Sequence, residues 1–266
     1  MKILAMDTSS KNASVAILED EKTLIELNNA EEKTHSQKLM PMINEAFQKT
    51  NLSLDDIQLL SCSLGPGSFT GVRIGIATSK AFADGKNIPC VGVTSLEGLA
   101  YNLNQEGYIC SLLNANHDNV YAGLFHIVKK ENADYSQASG YLQSSSYLQT
   151  LESDCTFLDL KDSNGNVTFQ SICDFIENNA KVKLDNSPIY FVGDASVIYQ
   201  NLLENLNFKN QNKIILAASR FCEISSISIA KAGYAKYKNG NYGNSSILTP
   251  IYLRKSQAEL SLEQNK

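Results

Sequence analysis

The sequence has 266 residues, of which 43% are hydrophobic and 19% charged, and its 23 basic and 28 acidic residues give a net charge of −5. This composition predicts a globular protein of one large or two small domains, and it excludes disordered, collagen-like and coiled-coil chains. Proteins that bind nucleic acid alone normally carry a basic surface. RNA contacts are therefore expected only through a local lysine patch or through a partner that supplies the basic surface.

Membrane insertion and secretion are not expected. No apolar run approaches the roughly 20 residues that cross a bilayer, and Asp7 interrupts the apolar start where a secretory signal would continue. The six cysteines contain no C-x-x-C pair, so they are predicted to be buried, reduced thiols. The sequence predicts a cytoplasmic protein.

The first elements in chain order are three strands and a helix. Apolar runs at residues 3–6, 13–18 and 24–27 are separated by polar turns, as in an antiparallel meander. Residues 36–50 then place their apolar side chains on one side at about 100° per residue, which predicts an amphipathic helix.

Helices and strands alternate after this point. A strand at 57–64 leads through a glycine-rich turn into a helix at 70–84, and a strand at 88–93 leads into a helix at 95–103. Three strands followed by alternating helices and strands is the order of a ribonuclease-H-like unit, the half-module of the actin-like fold. An α/β fold with mixed sheets and helices on both faces is therefore predicted.

The second half is expected to hold a second, degenerate copy of the unit. Strands are predicted at 108–113, 120–128 and 189–192 and helices at 195–206 and 219–237, whereas the polar stretch 131–187 gives no readable pattern. The predicted domains are a first lobe, a second lobe and a tail, with the helix 219–237 joined to the first lobe; their ranges are 1–105, 106–218 and 238–266.

The turn at 65–71, Gly-Pro-Gly-Ser-Phe-Thr-Gly, has two interpretations. Glycines between a strand and a helix can present N–H groups to a phosphate, or they can let the helix pack closely. The turn lacks the lysine of a P-loop. In the helix that follows, Arg73, Lys80 and Asp84 form a single polar stripe between two apolar faces, which favours a helix that is buried within the fold or covered by another chain.

Cofactor candidates are few. Asp7 and Thr8 follow the first strand and Gly193 follows a later one, so all three are candidates for facing a nucleotide, although Asp7 is equally typical of a turn and Asp194 of a helix cap. The histidines, His35, His117 and His126, have no neighbours at metal-ligand spacing. No metal site and no catalytic residues are predicted.

Four strings resemble the TsaB (YeaZ) family, bacterial subunits of the tRNA threonylcarbamoyladenosine machinery. They are Met-Lys-Ile-Leu-Ala-Met-Asp-Thr-Ser at 1–9, His-Ser-Gln-Lys-Leu-Met-Pro-Met-Ile at 35–43, Gly-Pro-Gly-Ser-Phe-Thr-Gly-Val-Arg-Ile-Gly at 65–75 and Pro-Ile-Tyr-Leu-Arg-Lys-Ser at 250–256. The resemblance covers the first hundred residues and the C-terminal end, and the 65–73 string is highly specific.

The resemblance implies an actin-like, two-lobed fold and a dimerisation and activation subunit. The implied partners are the catalytic paralogue TsaD, the ATPase TsaE and tRNA bound by the complex, which transfers threonylcarbamoyl from its adenylate to N6 of adenosine 37. Self-association is also expected, and ATP or ADP is expected only at the level of the complex. The implied interface lies on the first two helices, at His35, Leu39, Met40, Ile43, Phe47, Phe69, Gly71, Val72, Ile74, Gly75, Thr78 and Phe82.

Catalysis by this chain is not expected from the same resemblance. The paralogue holds its metal with two histidines in a Gly-Val-Asn-His-Leu-Glu-Gly-His string, and Ser95 and Leu99 stand at those places here. An isobutyl group cannot ligate a metal, and a single hydroxyl is a poor ligand for a transition metal.

Alternatives remain open. Many relatives carry Asp-Ala-Arg-x-x-Glu-Val-Tyr where residues 114–121 read Asn-Ala-Asn-His-Asp-Asn-Val-Tyr, which puts a charged role of that loop in doubt. The first alternative is an ATP-dependent carbamoyl- or phosphotransferase working at Asp7, Thr8 and Gly193, and the second is a glycoprotease-like peptidase. A bulky residue at Gly75 is expected to prevent pairing with TsaD while leaving the monomer folded.

Overall fold

The computed structural model describes residues 1–29, 35–103, 105–134, 143–178, 188–206, 208 and 213–254. In these ranges the chain forms two five-stranded mixed sheets with helices on their faces. None of the helices in the described ranges combines the length and the apolarity needed to cross a bilayer.

The first sheet has the strand order β3-β2-β1-β4-β5. Strands β1 to β3 form an antiparallel meander, and β4 and β5 run parallel to β1. Helices α1 and α2 pack on the outer face of this sheet, and α3 follows β5. The element bounds are β1 Lys2–Asp7, β2 Ala13–Glu19, β3 Lys22–Asn29, α1 His35–Thr50, β4 Leu59–Ser63, α2 Phe69–Lys86, β5 Cys90–Val93 and α3 Ser95–Asn102.

The second sheet repeats this topology. Its strand order is β10-β9-β6-β7-β8, with an antiparallel meander β6 to β8 and two strands parallel to β6. The outer helices described in this lobe are shorter than those of the first lobe, as expected for a degenerate second copy. The bounds are β6 Gly107–Asn114, β7 Asn119–Asp134, β8 Gln143–Asp159, α4 Gln170–Asn178, β9 Ile189–Val192, α5 Asp194–Ile198, α6 Gln200–Leu203 and β10 Ile214–Leu216.

A helical layer lies between the two sheets. It consists of α3 and the last helix, α7 (Ser226–Lys238), whose apolar side chains form one buried cluster with the inner faces of both sheets. Close approach is possible because Gly233 of α7 lies against Ser61 of β4: a Cβ at Gly233 would lie 2.2 Å from the Ser61 Oγ. The chain therefore folds as five layers, with separate outer cores under α1–α2 and under α4–α6.

The apolar pattern explains the first lobe well. All four residues at positions 3–6 are fully buried, because the sheet is covered on both faces. In α1, the apolar stripe predicted from the sequence packs against the sheet through Leu39, Met42, Ile43 and Ala46. The cysteines are free thiols, and all except the half-buried Cys155 are buried, as predicted.

Two element predictions in the second half are wrong. Residues 219–221 form a separate 3-10 turn, and α7 begins only at Ser226, where the Ser225 hydroxyl accepts from the Ile227 N–H. The predicted helix 195–206 is split into α5 and α6 at Tyr199, whose ψ of 25° departs from helical values. Within the unreadable stretch 131–187, the described residues contain the end of β7 and the whole of β8 and α4.

Candidate functional site

A cleft of about 800 Å³ opens between the two lobes. The segments that follow β1 and β6 meet there, as the topology requires for strands whose carboxyl ends face a common opening. The start of α2, the start of α5 and the residues before α7 complete the wall. The lining residues include Ser9, Lys11, Asn12, His35, Ser68, Asn114, Tyr121, Asp194, Ile198 and Glu223.

Asp7 lies behind this wall and not in the cleft. Its side chain is fully buried, and its Oδ1 accepts hydrogen bonds from the Ser9 N–H at 3.1 Å and the Ser9 hydroxyl at 2.6 Å. Ser9 in turn accepts from Ser95 at 2.8 Å, and Ser95 shares a hydrogen bond of 2.9 Å with Ser63. Burial raises the pKa of the Asp7 carboxyl, although the serine hydrogen bonds oppose this.

Thr8 contacts the backbone of α2. Its hydroxyl donates to the Gly71 carbonyl at 2.7 Å, and a Cβ at Gly71 would lie 1.9 Å from the Thr8 carbonyl oxygen. One helical turn later, a Cβ at Gly75 would lie 2.5 Å from the Thr8 Oγ1. The glycines of the 65–75 string therefore let α2 lie directly on the end of β1, which is the packing interpretation of that turn.

The second lobe has a similar close approach at Gly193. This residue has φ +111°, and a Cβ there would lie 2.0 Å from the Leu112 carbonyl oxygen of β6. The next side chain, Asp194, accepts from the Asn114 N–H at 2.8 Å. Gly193 thus packs against β6, and Asp194 is the residue of this turn that lines the cleft.

The predicted cofactor residues are thus not the cleft residues. Asp7 and Thr8 are buried, and Gly193 packs on β6, so none of the three lines the cleft. Their neighbours Ser9 and Asp194 do. In the described ranges, no group of three or more histidine, cysteine or acidic side chains is placed to hold a metal ion.

The outer surface of α1 and α2 exposes apolar and small side chains. Met40 and Phe69 are 49% and 41% exposed. Along α2, the residues at four-residue spacing from Phe69 are Arg73, Ala77 and Ala81, and all are exposed. Beside them on α2 lies a row of half-buried residues, Ile74, Thr78 and Phe82. We define the docking face as Met40, Phe47, Phe69, Ile74, Ala77, Thr78, Ala81 and Phe82.

Five residues predicted for the interface instead belong to the interior of the chain. Leu39, Ile43 and Val72 are no more than 2% exposed and pack in the core under α1 and α2, because these positions form the stripe that faces the sheet. Gly71 and Gly75 are buried against Thr8. The expectation that a bulky residue at Gly75 leaves the monomer folded is therefore wrong on steric grounds.

His35 has a different position from the other predicted interface residues. It begins α1 and lines the mouth of the cleft, half-buried, with its Cδ2 3.0 Å from the place where a Cβ of Gly71 would be. Its Nδ1 atom is buried without a hydrogen-bond partner among the described residues.

Sequence reasoning gave no role to a cluster at the start of α2. The Tyr252 ring stacks on Phe69 with centroids 4.7 Å apart, and the Arg73 guanidinium lies 3.9 Å from the Phe69 ring centroid. Arg73 Nε also donates to the Tyr252 hydroxyl at 2.7 Å. Tyr252 belongs to a string that the resemblance had singled out, but no local pattern pairs residues so far apart in the chain.

The loop after β6 is not devoid of charge. Asp118 forms an ion pair of 3.2 Å with Lys161, and Arg254 donates to the Ala115 carbonyl oxygen at 3.2 Å. Asn116, His117 and Asp118 all have positive φ, between 55° and 62°. The Asp118 carboxylate and the Ala115 carbonyl thus hold the loop against Lys161 and Arg254.

Comparisons with known proteins agree with this architecture. The family model described as "TsaD: tRNA N6-adenosine threonylcarbamoyltransferase" matches residues 28–262. The tRNA threonylcarbamoyladenosine biosynthesis protein TsaB of Bacillus subtilis is 35% identical over 126 residues, which are 47% of this chain and 55% of that protein. The Escherichia coli TsaB is 38% identical over 100 residues, 38% of this chain and 43% of that protein. The chain thus spans about half the length of the curated relatives it matches.

A solved structure supports the fold. The crystal structure of a Pseudomonas aeruginosa protein described as similar to peptidase YeaZ superposes with a TM-score of 0.67 over 95% of this chain and 99% of that chain. The sequence identity is 20%, so this similarity concerns the fold alone.

Proposed function

Because the chain belongs to the tRNA N6-adenosine threonylcarbamoyltransferase family, as a relative of its TsaB (YeaZ) members with the actin-like fold, we propose that it is a non-catalytic subunit of the complex that makes threonylcarbamoyladenosine. It binds the catalytic paralogue TsaD. That paralogue transfers threonylcarbamoyl from its adenylate to N6 of adenosine 37 of tRNA.

The observation that carries this proposal is the docking face. Large apolar side chains that remain about half exposed, such as Met40 and Phe69, are typical of surfaces that bind another protein. Their neighbours Ala77 and Ala81 are small, so a partner helix can approach α2 closely. In this chain the face belongs to the lobe that also carries the family's most specific string.

The non-catalytic part of the proposal depends on the environment of Ser95 and Leu99. Both side chains are fully buried. The Ser95 hydroxyl is engaged with Ser9 and Ser63, and Leu99 packs in the core between the sheets. These positions stabilise the fold by packing and hydrogen bonding, and they offer no group to a reacting substrate.

Further partners belong to the same proposal. TsaE and tRNA join at the level of the complex, as does any ATP or ADP, since the acidic chain has few cations at the cleft. A second copy of the chain occupies the docking face when TsaD is absent.

The test is a titration of the chain with the TsaD protein of the same organism by calorimetry. Ala77→Arg places a long charged side chain in the middle of the docking face and is expected to weaken binding at least a hundredfold. Val197→Arg is the matched control, because Val197 is 46% exposed on α5 of the other lobe. Wild-type affinity of the Ala77→Arg variant would contradict the proposal.

The cleft supports one rival function, that of an ATP-dependent carbamoyl- or phosphotransferase. A volume of about 800 Å³ suffices for a nucleotide. The side chains at its wall include the acids Asp194 and Glu223, which repel phosphate. Titration of the isolated chain with ATP and Mg²⁺ separates the two: micromolar binding with turnover favours the rival, and no heat signal favours the subunit.

A further inference from the structure

The cluster of Phe69, Arg73 and Tyr252 holds an exposed arginine in a fixed position. The guanidinium carbon of Arg73 lies 3.9 Å from the centroid of the Phe69 ring, and the Arg73 Nε–H donates a hydrogen bond to the Tyr252 hydroxyl. Phe69 and Tyr252 are themselves stacked, although both are more than 40% exposed. An arginine on a free surface normally samples many rotamers, so this arrangement removes much of the freedom that binding would otherwise cost.

The outer edge of the Arg73 guanidinium remains open to a ligand. Among the residues that the structure describes, no carboxylate lies within ion-pair distance of Arg73. The two terminal nitrogens of a guanidinium form a planar fork that matches a carboxylate with two parallel hydrogen bonds. Arginine and tyrosine beside an apolar patch are also the residue types that dominate protein–protein binding energy. The ligand expected here is therefore a carboxylate next to an apolar surface.

The charge of α2 decides between two sources of this carboxylate. The polar stripe of α2 carries two cations, the exposed Arg73 and the half-buried Lys80, and one exposed acid, Asp84. If two copies of the chain paired through α2 about a two-fold axis, the stripe of one copy would face the same stripe of the other, so two surfaces of like net charge would meet. A different protein with acidic side chains opposite the stripe has no such cost.

We propose that Arg73, positioned by Phe69 and Tyr252, is the anchor of the docking face and binds a carboxylate of the TsaD subunit in a bidentate geometry. The inference rests on the proposed function, because it names the chemistry by which the docking face selects its partner.

The experiment measures affinity for the TsaD protein of the same organism at two salt concentrations. Arg73→Ala and Arg73→Lys are each expected to weaken binding at least tenfold, the latter because lysine keeps the charge but loses the fork and the ring contact. Tyr252→Phe, which removes only the hydroxyl, is expected to weaken binding about threefold. The salt dependence of Arg73→Ala should be smaller than that of the wild type.

Arg220→Lys is the matched control. Arg220 also lies over an aromatic ring, that of Phe221, at 4.8 Å, but belongs to a 3-10 turn far from α2 in the chain. It is expected to leave the affinity unchanged, and urea unfolding of every variant verifies that the fold is retained.

The outcomes separate this inference from the proposed function. If Ala77→Arg abolishes binding but Arg73→Lys binds like the wild type, the anchor is wrong and the docking face stands. If neither variant changes binding, the proposed function itself fails. If Arg73→Ala reduces only self-association of the isolated chain in sedimentation experiments, the carboxylate belongs to a second copy and the inference is overturned.

Discussion

The two lobes have the same strand order but different outer surfaces. In the first lobe the outer helices α1 and α2 have 16 and 18 residues and expose apolar side chains. In the second lobe the outer helices have 9, 5 and 4 residues within the ranges that the structure describes. The sheets are therefore the common framework, and the helices on them distinguish the lobes.

This difference distinguishes helices that only cover a sheet from helices that also present an apolar surface to the outside. A sheet requires only that its faces be covered, and short helices achieve this in the second lobe. Long helices with a second apolar face exceed that requirement, and the proposed docking face lies on this additional apolar surface of the first lobe. Both lobes nevertheless use a glycine where the first strand of each sheet ends, at Gly71 and at Gly193.

The largest expected effect concerns these two glycines. Gly71→Ala and Gly193→Ala place a Cβ about 2 Å from a backbone oxygen, and Gly193 also has a positive φ. Each is expected to lower the free energy of unfolding by about 3 kcal/mol or more, measured by urea denaturation. Gly85→Ala is the control within α2: its Cβ meets nothing within 4 Å, so it should stabilise the chain by up to about 1 kcal/mol. A mild effect at Gly193 alone would show that the lobes differ in this packing as well.

A smaller effect is expected from the layer between the lobes. Lys236 of α7 donates to Glu97 of α3 at 2.5 Å, and Glu97 is only 4% exposed. Lys236→Met removes the cation beside this buried carboxylate and should cost about 2 kcal/mol, less than for a wholly buried pair because Lys236 is partly exposed. Lys49→Met, which breaks the exposed pair with Glu45, should cost only about 0.3 kcal/mol. Equal losses for the two variants, measured by thermal unfolding, would contradict the expectation that burial of Glu97 strengthens its ion pair with Lys236.

The smallest effect is a change in pH dependence at Asp7. Since burial raises the pKa of this carboxyl above its unfolded value near 3.8, the folded state retains the proton longer, and stability falls as pH rises above about 4. Asp7→Asn keeps the acceptor for Ser9 and should cost about 1 kcal/mol at pH 4 but less at pH 8. Asp194→Asn is the counterpart in the second lobe: partial burial also raises the pKa of the Asp194 carboxyl, but its side chain is more exposed than that of Asp7, so the change of stability with pH should be smaller. Unfolding free energies at pH 4 and pH 8 would contradict this if the Asp7 variant followed the wild-type slope.

Local sequence patterns predicted the first lobe better than the second. Strands that are buried on both faces, such as residues 3–6, and a one-sided helix such as α1 follow directly from apolar periodicity. Strand β8 is an edge strand of its sheet and contains many serines, so it lacks the apolar periodicity that predicts a strand. No proline or glycine stands at the break at Tyr199, whose ring packs edge-on against Phe169 with centroids 5.5 Å apart.

The site was only half predictable for a related reason. An apolar residue such as Leu39 and an apolar residue such as Met40 look alike in a sequence, but one faces the sheet and the other faces outward. The two apolar faces of α2 predict a helix with contacts on both sides, and its glycines make the close contact with Thr8. Arg73 and Tyr252 are 179 residues apart in the sequence, so their contact arises only in the folded chain and cannot be predicted from a local pattern.

The position of α7 has a consequence for synthesis of the chain. This helix covers the inner face of the first sheet, although almost the whole second lobe precedes it in the sequence. While a ribosome is still translating the middle of the message, the meander β1–β3 has one bare side. The amino-terminal half can therefore reach its final packing only after residue 238 has left the exit tunnel, and until then that bare side is a natural substrate for chaperones.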